Sequence, residues 1–176
     1  MEDKVSVIIP TYNRFKYLLN SINSVRKQTY TNIEIIVIND CSTQQEYYTH
    51  NFGSDVKIIH LIKNSRFVTD FPCTGYVRNK GIEISTGEYI AFLDSDDYLL
   101  PNFFNTIINT IHRHNPDIIQ FNELRVLNDN IQNSTVLLSH KSPESLYPID
   151  EVINEIFGIG KWFSHSRVFK RKFIYT

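Results

Sequence analysis

The feature that most constrains this chain is the stretch 90–97, where an apolar run leads directly into three carboxylates. The apolar half is short, follows Gly87 and is typical of a buried strand. In open α/β sheets, ligands bind beyond the carboxyl ends of the strands, which is where Asp94, Asp96 and Asp97 would lie. Three ionised carboxylates this close repel one another, so a divalent cation that holds a phosphate would stabilise them. The alternative is a solvated acidic turn that ends the strand and caps the next helix.

Length, charge and cysteine content narrow the class of protein. A chain of 176 residues predicts one domain with a sizeable core. The formal net charge of -1 argues against nucleic-acid binding, which shows as a basic excess. Cys41 and Cys73 form neither a disulfide framework nor a zinc-site spacing, and no segment has the roughly 18 apolar residues of a membrane span. The acidic start at Met1 is not a signal peptide, so we expect a cytoplasmic protein.

Apolar spacing predicts four alternations of strand and helix. Strands are expected at 5–9, 33–38, 56–62 and 89–93, and helices at 15–27, 44–51, 75–85 and from Pro101 to about 115. This order predicts an α/β protein with a Rossmann-like, mostly parallel central sheet and helices on both faces. Farther along, we expect a strand at 117–127, an Asn-rich turn at 128–133, a weaker strand at 136–139 and a short helix at 148–157.

Polar clusters follow three of the predicted strands, at residues 10–14, 39–43 and 94–97. Because the carboxyl ends of parallel strands meet at one edge, we expect these clusters to share a crevice. Tyr12 could stack on a base, Asp40 could accept hydrogen bonds from a base or sugar, and the acidic turn could hold a metal bound to a diphosphate. The sequence has neither a GxGxxG motif nor a P-loop, so metal and basic side chains would have to balance the phosphate charge.

Several motifs, in this order, resemble the nucleotide-binding half of family 2 glycosyltransferases with the GT-A fold. They are VSVIIPTYN at 5–13, QTY at 28–30, IVINDCST at 36–43, RNKGI at 78–82 and GEYIAFLDSDD at 87–97. Each motif alone is weak, but the ordered set is specific and outweighs the reading of 94–97 as a plain acidic turn. The resemblance implies a single GT-A domain, with a nucleotide-sugar-binding part at 1–115 and the start of an acceptor-side part at 116–176.

The resemblance also implies inverting transfer of a sugar from a nucleotide diphosphate donor, most often a UDP-sugar, to an acceptor hydroxyl. The implied cofactor is Mn²⁺ or Mg²⁺, and the implied acceptor is a glycan, lipid or protein; homodimer formation is left open. By position, the implied nucleotide-sugar site comprises Pro10 and Tyr12 at the uracil, Asn13 beside them, Asp40 at the base, Arg78 at the base or diphosphate, Asp94 at the ribose, Ser95 beside it, Asp96 on the metal and Asp97 close to the sugar.

Two positions depart from the family pattern. Where the family has Asp-Asp-Gly-Ser, this chain has Asn39 and Cys41 in place of the first Asp and the Gly. Ordinary packing of Tyr12 and a surface ion pair of Arg78 with Glu83 or Glu88 are the competing interpretations of those side chains. The six histidines lack metal-ligand spacing. A surface or structural role is therefore expected for nearly all of them, including His165.

The general base that an inverting transferase needs cannot be assigned from the sequence. In the family it is a carboxylate beyond a Trp-containing segment and a basic strand, which Trp162 and residues 168–173 resemble, and the chain stops at Thr176. We therefore expect a chain truncated before the base. A donor-binding module with weak donor hydrolysis stays open as an alternative, and a nucleotidyltransferase is a second one.

A cluster of basic residues lies near the C-terminal end. It could meet an anionic acceptor or a membrane surface, but a solvated strand edge is the favoured interpretation, because Lys commonly protects sheet edges. Its members are Lys161, Arg167, Lys170, Arg171 and Lys172.

Overall fold

A computed structural model describes residues 3–69, 73–127, 130–136, 147 and 164–174. A six-stranded sheet with the strand order β3-β2-β1-β4-β8-β5 forms its centre, and β6 and β7 form a separate two-stranded sheet. The strands are β1 Val5–Thr11, β2 Ile33–Asn39, β3 Val56–His60, β4 Tyr89–Phe92, β5 Ile118–Gln120, β6 Leu124–Leu127, β7 Asn130–Val136 and β8 Arg167–Lys170, and the helices are α1 Phe15–Arg26, α2 Glu46–Thr49, α3 Thr74–Ile84, α4 Phe103–His114 and α5 Arg171–Ile174.

The four strands at one side of the sheet are parallel and lie between two apolar layers. Successive residues of β1 alternate between these layers, with Val7 and Ile9 in one and Ile8 in the other. A strand buried on both faces favours consecutive apolar residues, which explains the runs at 7–9 in β1 and 35–38 in β2. The predicted α/β class with a mostly parallel sheet is confirmed.

Helices cover both faces of this sheet. Helices α1 and α4 contribute Leu18, Ile22 and Phe104 to the larger layer, whereas α3 contributes Val77 and Ile82 to the smaller one. The apolar positions of α1 and α4 recur at helical spacing, so each helix buries one stripe against the sheet. The sheet is therefore fixed between two helical layers, and the strand ends are held rigidly.

The residues after α4 add strands β5 and β8 to the same sheet, and β8 runs antiparallel to its two neighbours. Strand β8 lies between β4 and β5 and pairs with both. Arg167 and Lys170 on this strand are 1% and 8% exposed. The prediction of a solvated strand edge is therefore wrong for these two residues, because an internal strand has no free edge; Lys161 lies outside the described residues.

The segment between α4 and β8 also differs from the prediction. The expected strand at 117–127 is two strands, β5 and β6, which belong to different sheets. The expected turn at 128–133 is wrong for its second part, since β7 begins at Asn130 and pairs with β6. The predicted helix at 148–157 and the predicted strand residues 137–139 lie outside the described residues.

A partly buried carboxylate secures the turn that leads into β4. Glu34 on β2 accepts hydrogen bonds from Ser6 Oγ, from the Thr86 amide and hydroxyl, and from the Gly87 amide, and it pairs with Lys4 at 3.3 Å. A Cβ atom at Gly87 would lie 2.7 Å from the Ser6 nitrogen and 2.8 Å from the Lys4 oxygen, so this close approach of two backbones requires glycine. The turn thereby sets where β4, and the acidic residues after it, leave the sheet.

Candidate functional site

The carboxyl ends of β1, β2 and β4 open into a cleft of about 610 Å³. The sequence predicted that the polar clusters at these three ends would share a crevice, and the cleft brings them together. The predicted site residues in its lining are Pro10, Tyr12, Asp40, Arg78, Asp94, Ser95 and Asp96.

The two other predicted residues, Asn13 and Asp97, lie next to the cleft without lining it. Asn13 has the left-handed φ of 52° that Asn tolerates, and its side-chain oxygen accepts a hydrogen bond of 2.8 Å from the Thr43 amide. Its own amide donates to Ser42 Oγ at 2.9 Å. Asn13 thus ties the loop after β1 to the loop after β2, which fixes the neighbouring Tyr12 in the cleft wall.

The carboxylate of Asp40 is buried and already accepts several hydrogen bonds. One oxygen accepts from the Ser65 amide at 2.7 Å, and the other accepts from Ser65 Oγ at 2.8 Å and from Asn64 Nδ2 at 3.1 Å. These contacts hold a 3-10 turn, Ser65–Phe67, at the rim of the cleft. A carboxylate offers about four acceptor positions, so one remains for a ligand.

The turn after β2 tolerates both departures from the family pattern. Asn39 is buried; its side-chain oxygen accepts from the Ser42 amide at 3.0 Å and its amide nitrogen lies 2.9 Å from His60 Nδ1. Cys41 adopts the left-handed φ of 60° that a glycine would adopt without strain. The hydrogen bonds of Asn39 hold this turn, and its conformational strain lies in the backbone of Cys41.

Asp94, at the end of β4, lies between the guanidinium of Arg78 and the imidazole of His165. Arg78 on α3 donates to Oδ1 at 2.5 Å, and His165 Nδ1 lies 3.5 Å from Oδ2. The Arg78 guanidinium also lies over the Phe92 ring, 5.7 Å from its centroid. The competing interpretation of Arg78, a surface ion pair with Glu83 or Glu88, is wrong, because the side chain is only 16% exposed and points to Asp94.

Asp96 points outward from the acidic turn and pairs with Arg14 from the loop after β1. Both side chains are about half exposed, so this ion pair is open to exchange with a ligand. The pKa of the next carboxyl, Asp97, is raised to about 6, first because packed neighbours reduce its hydration and then because Asp94 and Asp96 carry like charges. The turn therefore concentrates three carboxyl groups, of which Asp94 and Asp96 pair with Arg78 and Arg14.

His165 reaches the cleft from the 3-10 turn before β8, far along the chain from the other residues. Its Nε2 lies 3.3 Å from Glu123 Oε1. The pKa of the imidazole is raised because it hydrogen-bonds Glu123 and because Asp94 and Glu123 are negative; burial and the Arg78 charge act against this shift. From the sequence, a surface or structural role was expected for His165, and no role in the site was assigned to Glu123.

The comparisons with known proteins agree with this geometry. The family model "Glycosyl transferase family 2" matches residues 6–170. The chain belongs to glycosyl transferase family 2. The resemblance inferred from the ordered motifs is therefore confirmed, and the matched range includes His165 in the cleft lining and Glu123 behind it.

Curated glycosyltransferases match about two thirds of the chain. An uncharacterized glycosyltransferase, YibD of Escherichia coli, is 35% identical over 125 residues, which are 68% of this chain and 34% of YibD. The poly(ribitol-phosphate) β-N-acetylglucosaminyltransferase TarS of Staphylococcus aureus is 33% identical over 66% of this chain and 20% of TarS. The chain thus spans about a third or less of the length of these relatives.

Solved structures show the same fold. The crystal structure of S. aureus TarS 1-349 in complex with UDP-GlcNAc has a TM-score of 0.73 and 24% identity, and it covers 98% of this chain and 46% of the TarS chain. This likeness confirms the GT-A fold expected from the motifs. Within the described residues, no helix has the length and apolar character needed to cross a membrane.

Several cleft residues were missing from the predicted site. Arg14 stood in the polar cluster 10–14 and could have been included on that ground. The turn at Asn64 and Ser65 lies in a segment without a clear period, so no sequence signal marked it. The residues that the structure adds to the cleft lining include Arg14, Asn64, Ser65, Arg66, Ser164 and His165.

Proposed function

We propose that this chain binds a UDP-sugar together with a divalent cation and transfers the sugar, with inversion, to an acceptor hydroxyl group. The observation that carries the proposal is the convergence of Tyr12, Asp40 and the acidic turn on one cleft. Family 2 membership supports it, and so does the binding of UDP-GlcNAc by TarS, a protein of the same fold.

The cleft offers a place for each part of the donor. Tyr12 is 43% exposed and presents a ring face to a base, while Asp40 has an acceptor position left for a base N–H. Asp94 would accept hydrogen bonds from the ribose hydroxyls. Arg78 and Arg14 place positive charge beside the acidic turn, where the diphosphate would lie.

The donor set of the acidic turn fits Mg²⁺ or Mn²⁺. Asp96 exposes its carboxylate at the cleft, and the pKa of the neighbouring Asp97 is raised first by loss of hydration and then by the like charges of Asp94 and Asp96. In the part of the chain that the structure describes, no three side chains of His, Cys, Asp or Glu converge on one point. Asp96 would therefore hold the cation together with phosphate oxygens and water, the mode that Mg²⁺ prefers. The bound cation would stabilise the negative charge of the leaving diphosphate.

The transfer would form one bond and break another at the anomeric carbon. The acceptor oxygen attacks from the face opposite the diphosphate, the bond from that carbon to the diphosphate oxygen breaks, and UDP leaves with the electron pair. The acceptor proton must go to a general base. The carboxylates that line the described part of the cleft are Asp40, Asp94 and Asp96, which already serve the donor in this scheme. Transfer would therefore need a general base from outside the described residues. Without such a base, the chain would only hydrolyse the donor.

Calorimetry with UDP, in the presence and absence of MnCl₂, tests the proposal. We expect UDP to bind with Mn²⁺ and to bind much more weakly without it, and we expect Asp96→Asn to remove the Mn²⁺ dependence. Asp55→Asn, which changes an exposed carboxylate paired with Arg26, is the matched control and should bind as the wild type does. If UDP fails to bind under both conditions, the proposed function is wrong.

Incubation with a panel of UDP-sugars separates the two activities. Release of UDP with a sugar attached to an added acceptor supports transfer, whereas release of UDP and free sugar alone supports the donor-binding alternative.

A further inference from the structure

Both carboxylate oxygens of Asp94 face a nitrogen-bearing side chain. Arg78 occupies Oδ1 from the α3 side, and His165 faces Oδ2 from the β8 side. A carboxylate held at one oxygen still turns about the bond to its Cβ, whereas one held at both oxygens has a single orientation. Asp94 is 30% exposed, so the part of its surface that faces the cleft is still open to a ligand.

The His165 ring is itself held by a second carboxylate. Glu123 lies against Nε2, and its side chain is 17% exposed. Nearby, the Phe121 amide donates to the Ser166 carbonyl at 3.1 Å, which joins the segment after β5 to the turn that carries His165. Burial lowers the pKa of Arg167, and the negative charge of Glu123 partly opposes this shift. The ring is thus oriented by groups that do not line the cleft.

We propose that His165 is a positioning residue of the donor site: it fixes the carboxylate of Asp94 toward the ribose, and Glu123 fixes the imidazole. The proposal rests on the proposed function, because it is the nucleotide sugar that gives Asp94 a ribose to bind. It gives the segment after residue 115 a part in donor binding, which the motifs placed wholly within residues 1–115.

The two ring nitrogens have separate tasks, and this allows matched variants. Nδ1 faces Asp94, and Nε2 faces Glu123. The amide nitrogen of Asn lies where Nδ1 does, so His165→Asn keeps a donor for Asp94. The amide nitrogen of Gln lies where Nε2 does, so His165→Gln keeps a donor for Glu123 and leaves Asp94 without one.

The test measures the dissociation constant of UDP with MnCl₂ for the wild type and the variants. We expect His165→Ala and His165→Gln to weaken UDP binding about tenfold, the effect of one charge-assisted hydrogen bond, and His165→Asn to restore most of the affinity. His112→Ala, at an exposed histidine paired with Asp3, should bind as the wild type does.

The same variants are measured with 2′,3′-dideoxy-UDP, which lacks the ribose hydroxyls. We expect the difference between the wild type and His165→Gln to disappear with this ligand, because the position of Asp94 then no longer matters. The proposal is overturned if His165→Gln binds UDP as tightly as the wild type, or if both ligands lose affinity equally, which would indicate general damage to the fold.

A measurement without ligand separates this proposal from the proposed function. Urea unfolding of Asp94→Asn, His165→Ala and the double variant gives the coupling between the two side chains. We expect the double variant to lose less stability than the two single losses together. If the wild type binds no UDP, the proposed function and the ribose role both fail, and the cycle still shows whether the contact exists. Absence of coupling overturns the contact itself.

Discussion

Replacement of Glu34 by glutamine tests how the turn before β4 is held. The folded structure lowers the pKa of Glu34 from 4.5 to about 2. Loss of hydration opposes this shift, but the hydrogen bonds from Ser6 and Thr86 and the charge of Lys4 outweigh it. The side chain is 18% exposed, so solvent screens these interactions only in part.

The magnitude follows from the size of the shift. A pKa change of one unit corresponds to about 1.4 kcal/mol, so the ionised Glu34 contributes about 3 kcal/mol to the free energy of unfolding. Glutamine can keep an oxygen for the Thr86 and Gly87 amides, which both donate to Oε1. Its NH₂ group would then replace Oε2 and face the Lys4 ammonium and the Thr86 hydroxyl, so the ion pair and one acceptor are lost. We therefore expect Glu34→Gln to lower the free energy of unfolding at pH 7 by about 2–3 kcal/mol.

The pH dependence gives a second, independent check. Because the folded pKa is below the unfolded one, the contribution of Glu34 is fully present above about pH 4.5 and is lost as the pH falls toward 2. Urea unfolding of the wild type and Glu34→Gln at pH 7, 5, 4 and 3 should show a constant difference down to pH 5 and a shrinking one below it. Glu46→Gln, at an exposed carboxylate in α2, is the control and should change stability by less than about 0.5 kcal/mol. A loss below about 1 kcal/mol, or a difference that does not shrink in acid, would refute the reasoning.

Three further substitutions test local features, each by urea unfolding at pH 7. Gly81→Ala should lower the free energy of unfolding by about 1–3 kcal/mol, because a Cβ there would overlap the buried Ile8 side chain. Gly75→Ala is the control and should not lower it, because its Cβ would meet one atom at 3.6 Å. Equal losses of stability in the two variants would contradict this. Cys41→Gly should raise stability by about 0.5–1 kcal/mol, since the backbone is left-handed there, and a loss of stability would argue against strain. Asp40→Asn should cost about 1–2 kcal/mol and weaken UDP binding, because its NH₂ group would replace Oδ2 and face the Asn64 NH₂ group, which is also a donor. Unchanged stability would refute this.

Local patterns in the sequence were enough for the first part of the fold. Strands β1, β2 and β4 contribute residues to both apolar layers, and the short apolar runs within them are visible without any knowledge of the neighbouring strands. The helical spacing of α1 and α4 reflects one buried stripe each. The position of the polar clusters followed from these elements, because parallel strands bring their carboxyl ends to one edge.

The second part depended on pairings between distant segments. Strand β8 inserts between β4 and β5, and nothing in the sequence of residues 167–170 shows that two neighbours will cover it. The basic residues there suggested a solvated edge, yet Arg167 is buried close to Glu123. The Asn-rich segment suggested a turn, whereas Asn130 begins a strand that pairs with β6.

The sequence by itself determined the parallel α/β half, the family and the carboxylates that end β4, because these depend on short-range periodicity and ordered motifs. The tertiary structure alone decided which groups balance those carboxylates. Arg14, Arg78 and His165 come from three separate elements and meet the acidic turn only after the sheet has formed. The physical reason is that buried apolar residues recur along the chain with the period of the helix or strand. An ion pair, by contrast, depends on where two distant segments of the chain meet in the fold.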